Sequence, residues 1–234
     1  MRLDRYLSYV QNLTRNEAKK IIRQGLVKVN EKVVTQADFQ VQEQDCVSYQ
    51  NEVLNYQEFL YFMLNKPRGY LSSTQDHNRL TVLDLIKGYD KYQLFMVGRL
   101  DLDSEGLMIL TNDGDLAHRL MSPRYECPKT YYVQVEGEFV EADIRAFSEG
   151  MVIEDGSGEK YQTKPARLQI LSKSEAYITI YEGKYHQVKR MCQKQGKEVK
   201  YLKRIKIGDL ELDQSLLTGQ YRELLPKEVE LLKK

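Results

Sequence analysis

Gly98-Arg99-Leu100-Asp101-Leu102-Asp103-Ser104-Glu105-Gly106-Leu107-Met108-Ile109-Leu110-Thr111-Asn112-Asp113-Gly114 sets three carboxylates and an arginine between two glycines and runs directly into an apolar stretch. Residues 106–111 read as a buried strand, and Asn112-Asp113-Gly114-Asp115 as the turn that ends it. A polar loop entering a buried strand is a common seat for functional groups, because glycine admits backbone shapes that other residues resist. On its residues alone the loop leaves two readings open. Asp101, Asp103 and Glu105 could share a divalent cation if an extended backbone turns them to one side, or they could form a solvated acidic turn.

Around this segment strands and helices mix without a strict βαβ rhythm. Residues 59–64 begin an apolar strand stopped by Pro67 and Gly69, and residues 81–87 read as a helix opened by Thr81. Residues 116–121 suit a helix, and 131–136 and 176–181 alternate as strands. Residues 186–195 read as a helix, residues 204–212 as a hairpin bent at Gly208-Asp209, and Pro226 opens a short final helix. The sum is an α+β domain on a mostly antiparallel sheet with flanking helices.

Residues 1–34 read as helix, helix, hairpin. Thr14 and Glu17 match a capping box, Ala18, Ile21 and Ile22 supply an apolar stripe, and Gly25 stops the helix. Arg15, Lys19 and Arg23 recur every four residues and share one helix face. A unit this small with a basic face suits a binding module. The acidic, Gln-rich stretch 35–58 reads as part strand and part linker, so the domains are expected at 1–58 and 59–234.

The 234 residues are 41% hydrophobic and 29% charged, enough to bury a core in more than one domain. No stretch approaches a membrane span and Met1-Arg2-Leu3-Asp4-Arg5 lacks a signal-peptide pattern, so a cytoplasmic protein without a membrane partner is expected. Cys46, Cys127 and Cys192 are isolated and read as reduced thiols, and with His77, His118 and His186 scattered no zinc site is expected. Net charge is only +1, but it is unevenly spread. Residues 1–34 hold eight basic and three acidic residues, and residues 184–206 hold nine basic residues against Glu198 alone. Two such segments can present positive surfaces to phosphate, and the run from Lys194 to Lys206 reads as one of them.

The stretch from Gly98 to Gly114 resembles the signature of the RsuA-like pseudouridine synthases: Gly-Arg-Leu-Asp, four variable positions, Gly-Leu, an apolar run, then Thr-Asn-Asp-Gly. Three other stretches resemble the family in the same order: Asn65-Lys66-Pro67-Arg68-Gly69, Lys129-Thr130-Tyr131, and Glu182-Gly183-Lys184-Tyr185-His186-Gln187-Val188-Lys189-Arg190-Met191. Residues 1–34 resemble the S4 RNA-binding domain that precedes many such enzymes. The resemblance implies a small S4 (αL-type) domain followed by a pseudouridine synthase domain on a mixed, mostly antiparallel sheet.

It also implies a chemistry. Turning a uridine into its C-glycoside gains no atoms and transfers no electrons, so no cofactor or metal is called for. By position the catalytic carboxylate is Asp101, acting as nucleophile or base. Asp103 and Glu105 fall at variable positions and read as structural. Tyr131 matches the tyrosine that stacks on the target base, and Lys189 falls where the family sets a cation beside the carboxylate. Arg99 matches a residue that helps displace the flipped base, with an ion pair to Asp103 or Glu105 as the rival role. Lys66 is assigned to packing or backbone support. Arg2, Arg15, Lys19, Lys20 and Arg23 of the first domain, and Arg190 of the last motif, are assigned to RNA contact.

Ser122-Pro123-Arg124, Lys129-Thr130-Tyr131 and the segment around Gln187 read most like the small-subunit branch. The expected partner is therefore 16S ribosomal RNA in a small-subunit assembly intermediate, acted on by a monomer. Large-subunit 23S rRNA is the alternative substrate. From other classes come an inactive rRNA-binding or ribosome-assembly protein and a metal-dependent nuclease using the acidic loop.

Overall fold

Period-two burial in two strands sets the frame of the larger unit. In β5 (Tyr61–Lys66), Phe62 and Leu64 enter one core while Met63 enters another. In β7 (Glu105–Thr111), Met108 and Leu110 join the first core and Leu107 and Ile109 the second. Both strands are buried on both faces, so the sheet they belong to must be covered on both sides. The computed structural model describes every residue except 12, 90, 91 and 234. It divides into two compact units, Met1–Glu58 and Phe59–Lys234.

The larger unit is a mixed sheet in the order β11 (Arg167–Ser172), β12 (Glu175–Ile180), β8 (Lys129–Glu136), β13 (Glu198–Ile207), β7, β5, β15 (Tyr221–Glu223). Short strands β6 (Phe95–Met96) and β14 (Leu210–Glu211) pair with β7 and β13. Every pairing is antiparallel except β7 with β13. Helices α4 (Glu141–Glu149) and α5 (Gln187–Lys194) supply Phe147, Val188, Met191 and Cys192 to the first core. Helices α3 (Gly114–Met121) and α6 (Pro226–Lys233) cover the second with Leu116, Leu120, Val229 and Leu232. A separate hairpin, β9 (Val152–Glu154) with β10 (Lys160–Gln162), completes the unit.

The parallel pairing depends on one glycine. Gly106 lies opposite Arg204 and has φ +105°; a Cβ there would stand 2.2 Å from the Arg204 carbonyl oxygen. No side chain fits that approach, so Gly106 lets β13 close against the strand that carries the acidic loop.

In the smaller unit, α1 (Leu3–Val10) and α2 (Arg15–Arg23) pack on a four-stranded sheet ordered β2 (Lys32–Val33), β1 (Val27–Val29), β3 (Val47–Tyr49), β4 (Glu52–Leu54). The Thr14–Glu17 capping box is formed in full, with the Thr14 hydroxyl accepting from the Glu17 N–H and the Glu17 carboxylate from the Thr14 N–H. Leu3, Leu7, Ile22, Val29, Val47 and Leu54 form its core.

Three expectations are corrected. The strand expected within 35–58, at residues 45–49, is β3, but the rest is more than linker: β4 closes the small sheet, and Val41 and Leu54 are buried although polar residues surround them. The helix expected at 81–87 is a single 3₁₀ turn, Val82–Leu85, because Asp84 caps the Thr81 N–H and Ile86 is already extended. The basic run from Lys194 to Lys206 is largely neutralised or buried. Lys197 pairs with Asp143, Lys200 with Glu136 and Glu198, and Lys206 with Glu211, while Arg204 is buried and donates to the Leu107 carbonyl. Among the described residues no helix is long and apolar enough to cross a membrane.

Candidate active site

The acidic loop is held by its backbone. Lys66, the last residue of β5, is fully buried, and its ammonium donates to the carbonyls of Pro67 (3.1 Å), Asp101 (3.0 Å) and Ser104 (2.9 Å). Three acceptors match its three donors. Burial pushes this ammonium down to about 8, with Asp101, Asp103 and Glu105 pulling the other way. The Ser72 hydroxyl donates to the Leu100 carbonyl at 2.6 Å and accepts from the Leu100 N–H at 3.0 Å. The Gly69 N–H reaches the Leu102 carbonyl at 2.8 Å, and the Ser104 N–H turns back to the Asp101 carbonyl at 3.1 Å.

From this fixed loop the Asp101 carboxylate meets the start of α5. The Lys189 ammonium lies 3.0 Å from Asp101 Oδ2 and 2.6 Å from Asp103 Oδ1. His186 Nε2 stands 3.4 Å from Asp101 Oδ1. Burial alone would lower the Lys189 ammonium, but its bonds to Asp103 and Asp101 prevail and hold it above the usual lysine range. Burial likewise works to raise the Asp103 carboxyl, and the Lys189 bond and charge hold it below the usual carboxylate range instead.

Tyr131, on β8, is buried, and with Arg99, Leu100, Asp101, His186 and Val188 it lines a cavity of about 60 Å³. Arg99 is exposed at this cavity and makes no ion pair among the described residues. Glu105, one of its two expected partners, instead bonds Arg68 at 3.3 Å and the Tyr201 hydroxyl at 2.8 Å. Asp103 and Glu105 are thus each engaged by cations, and among the described residues no three His, Cys, Asp or Glu side chains are grouped to hold a metal ion. Arg190 points away from the cavity, donating to the main-chain carbonyls of Glu154 and, at 2.6 Å, Asp155.

In the smaller unit the basic residues divide. Arg2 and Arg15 lie 3.0 and 3.7 Å from the buried carboxylate of Asp4, whereas Lys19, Lys20 and Arg23 carry no ion pair among the described residues.

Two residues of the site escape a reading of the sequence. His186 falls inside the expected helix, yet it precedes α5 in the left-handed region (φ 52°, ψ 28°). Its spacing of three from Lys189, one helical turn, is the available signal. Gln187 is buried and shapes the approach to α5: its amide donates to Glu182 at 2.9 Å, and its carbonyl oxygen accepts from the Lys184 N–H at 3.1 Å. The whole arrangement, a carboxylate between a fixed cation and an imidazole beside a buried tyrosine, suits nucleophilic attack or proton removal on a base withdrawn from its stack.

The ion pair sets a pH expectation. Asp103, depressed in the folded state, adds stability that is present above the ordinary carboxylate range and lost as pH falls through its folded value. Lys189, raised, adds stability that is present below the ordinary lysine range and lost as pH rises through its folded value. Lys189→Met is therefore expected to lower stability most at neutral pH, by about 1 kcal/mol or less given the exposure of Asp103, with the gap narrowing at both extremes. Urea unfolding of both proteins across pH checks this; a gap independent of pH contradicts it.

The model of the RNA pseudouridylate synthase family matches residues 60–194, and that of the S4 domain matches residues 1–47. The chain is 42% identical to ribosomal small subunit pseudouridine synthase A of Haemophilus influenzae over all of both chains. It is also 42% identical to an uncharacterized RNA pseudouridine synthase of Bacillus subtilis, over 99% of this chain and 98% of that one. A crystal structure of a pseudouridylate synthase superimposes with a TM-score of 0.70 at 41% identity, covering 99% of each chain. With its sheet, its loop and these matches together, the chain belongs to the RNA pseudouridylate synthase family and carries an S4 domain ahead of the synthase domain.

Proposed function

We propose that this enzyme isomerises one uridine of small-subunit (16S) ribosomal RNA to pseudouridine, with Asp101 as the catalytic carboxylate. The observation that carries the chemistry is the Asp101 carboxylate, set by Lys66 and held at 3.0 Å by Lys189, at a cavity walled by Tyr131. The substrate rests on full-length identity to synthases named for the small subunit in Haemophilus influenzae and, at 38%, Escherichia coli. The uridine is extruded from its stack, which costs a few kcal/mol and least in a loop or unfinished fold of the RNA, so an assembly intermediate is the favoured substrate form. Tyr131 packs against the base, Lys189 holds the carboxylate in place from 3.0 Å, and Arg99 at the cavity rim fills the space the base leaves. The enzyme acts as a monomer, a point that sedimentation of the RNA-free protein decides.

Carbodiimide primer-extension mapping of both rRNAs, from cells with and without the protein, tests substrate and residue together. The expected result is one stop lost from the small-subunit rRNA, restored by wild type and not by Asp101→Asn. A stop lost only from the large-subunit rRNA overturns the substrate, and restoration by Asp101→Asn overturns the residue.

Lys19, Lys20 and Arg23, three cations on or beside one helix of the small unit with no carboxylate partner among the described residues, are its RNA-facing charges. Changing all three to Glu is expected to weaken RNA binding and reduce the slope of log K against log salt by roughly 0.7–0.9 for each phosphate no longer neutralised. An unchanged slope in filter binding removes this assignment.

A further inference from the structure

Isomerisation leaves a proton to be moved. Once C5 of the turned base has joined C1′ of the ribose in place of N1, C5 still holds its hydrogen. That hydrogen must leave as a proton. Its electron pair forms the C5–C6 double bond and displaces the N1–C6 pair onto N1, which takes up a proton. One proton leaves and one arrives.

Apart from Tyr131, which packs its ring against the base in the proposed complex, few groups at the cavity can manage this. A guanidinium does not serve as a base in a protein, which sets Arg99 aside. The Lys184 ammonium lies 3.6 Å from the centre of the Tyr161 ring, and the Gln187 amide is committed to Glu182 and the Lys184 N–H. Lys189 holds Asp101 Oδ2 and Asp103. Asp101 Oδ1 faces a different neighbour, the imidazole of His186 at 3.4 Å. The two oxygens of one carboxylate are thus distinguished, one tied to a fixed cation and the other facing a side chain of the type that gives and takes protons near neutrality.

His186 is also held in place by more than its own chain. Its left-handed backbone is uncommon for a residue other than glycine, and such strain persists only where the surroundings enforce it. The imidazole stacks on Tyr185, with ring centres 3.8 Å apart and planes 18° from parallel. Tyr185 is backed by Gly156 of the β9–β10 turn, where a Cβ would come within 2.9 Å of the ring. The Arg190 guanidinium lies 5.3 Å from the Tyr185 ring centre and bonds the same turn through the Glu154 and Asp155 carbonyls. The hairpin and α5 thus flank one side of the half-exposed Tyr185 ring, and Tyr185 in turn stacks on the imidazole.

We propose that His186 is a positioning residue and proton acceptor for Asp101: Oδ1 removes the C5 hydrogen as a proton and Nε2 of the imidazole takes it on. This rests on the proposed role of Asp101, which is free again once the C5–C1′ bond exists, whichever bond it made earlier. The charged and titratable groups around the imidazole are Arg99, Asp101 and Asp103 from the loop, Tyr131 from β8, Lys184 and Tyr185 just before it, Lys189, Arg190 and Lys194 from α5, and Glu154 and Lys160 from the hairpin.

The test is single-turnover isomerisation of small-subunit rRNA carrying deuterium at C5 of its uridines, by wild type and by His186→Asn. Asparagine tolerates the left-handed backbone, so the helix start is kept; His186→Gln is the second variant if the first fails to fold. The expected variant binds RNA as wild type does, isomerises on the order of 100-fold more slowly, and acquires a primary isotope effect that wild type lacks. The inflection of the wild-type pH–rate profile due to the imidazole disappears with it. A variant rate within twofold of wild type, or a slow variant with no isotope effect and an unchanged pH profile, overturns the proposal. Wild type that forms pseudouridine in this RNA, with Asp101→Asn inactive, shows that only the His186 step is at fault in that case. Wild type that forms none overturns the functional reading and this proposal with it.

Discussion

One buried ammonium shapes the site. Lys66 sits without solvent exposure, beyond ion-pair distance of any described carboxylate, and is satisfied by three main-chain carbonyls, two of them from the acidic loop. Leaving a charged group buried and unpaired costs several kcal/mol, so each of those carbonyls is held where the ammonium needs it. Asp101 contributes its carbonyl to Lys66 and its side chain to the cavity. The backbone at that residue therefore cannot shift without breaking a bond to a buried cation. The carboxylates of Asp101, Asp103 and Glu105 lie near enough to favour the charged ammonium, so the acids of the loop and the cation beneath them support one another.

The sheet makes that arrangement possible. β5 delivers Lys66 and β7 begins where the loop ends, the two strands pairing antiparallel with Lys66 opposite Gly106. Gly106 in turn admits β13 as the one parallel neighbour, and α5, which precedes β13, carries Lys189 and follows His186 to Asp101. A glycine and a lysine outside the cavity lining thus decide where Asp101, His186 and Lys189 meet.

Much of this is legible in the sequence for a physical reason. β7 is buried on both faces, so its apolar run can be read directly, and the Thr14–Glu17 box announces a helix start by local chemistry alone. The motifs name Asp101, Tyr131 and Lys189 together, and the structure sets Asp101 beside both Tyr131 and Lys189. Charge misleads wherever partners are distant in sequence. The run after Lys194 looks free because Glu136, Asp143 and Glu211 lie outside it or at its edge, and only the sheet brings them in. Within the first basic segment, Asp4 itself takes up Arg2 and Arg15. Residues 35–58 show β3 but hide β4, because their few buried positions are spaced among polar ones. His186 is obscured because a left-handed residue before a helix leaves no mark in composition.

If Lys66 builds the loop that presents Asp101, removing its charge must release that loop. A crystal structure of Lys66→Met tests this directly. Residues 98–104 are expected to move, carrying Asp101 about 1 Å or more from Lys189 while β5 and β7 keep their register, a displacement of the size that disables catalytic geometry. A loop that superimposes on the wild-type one, with Asp101 still beside Lys189, would contradict the role given to Lys66.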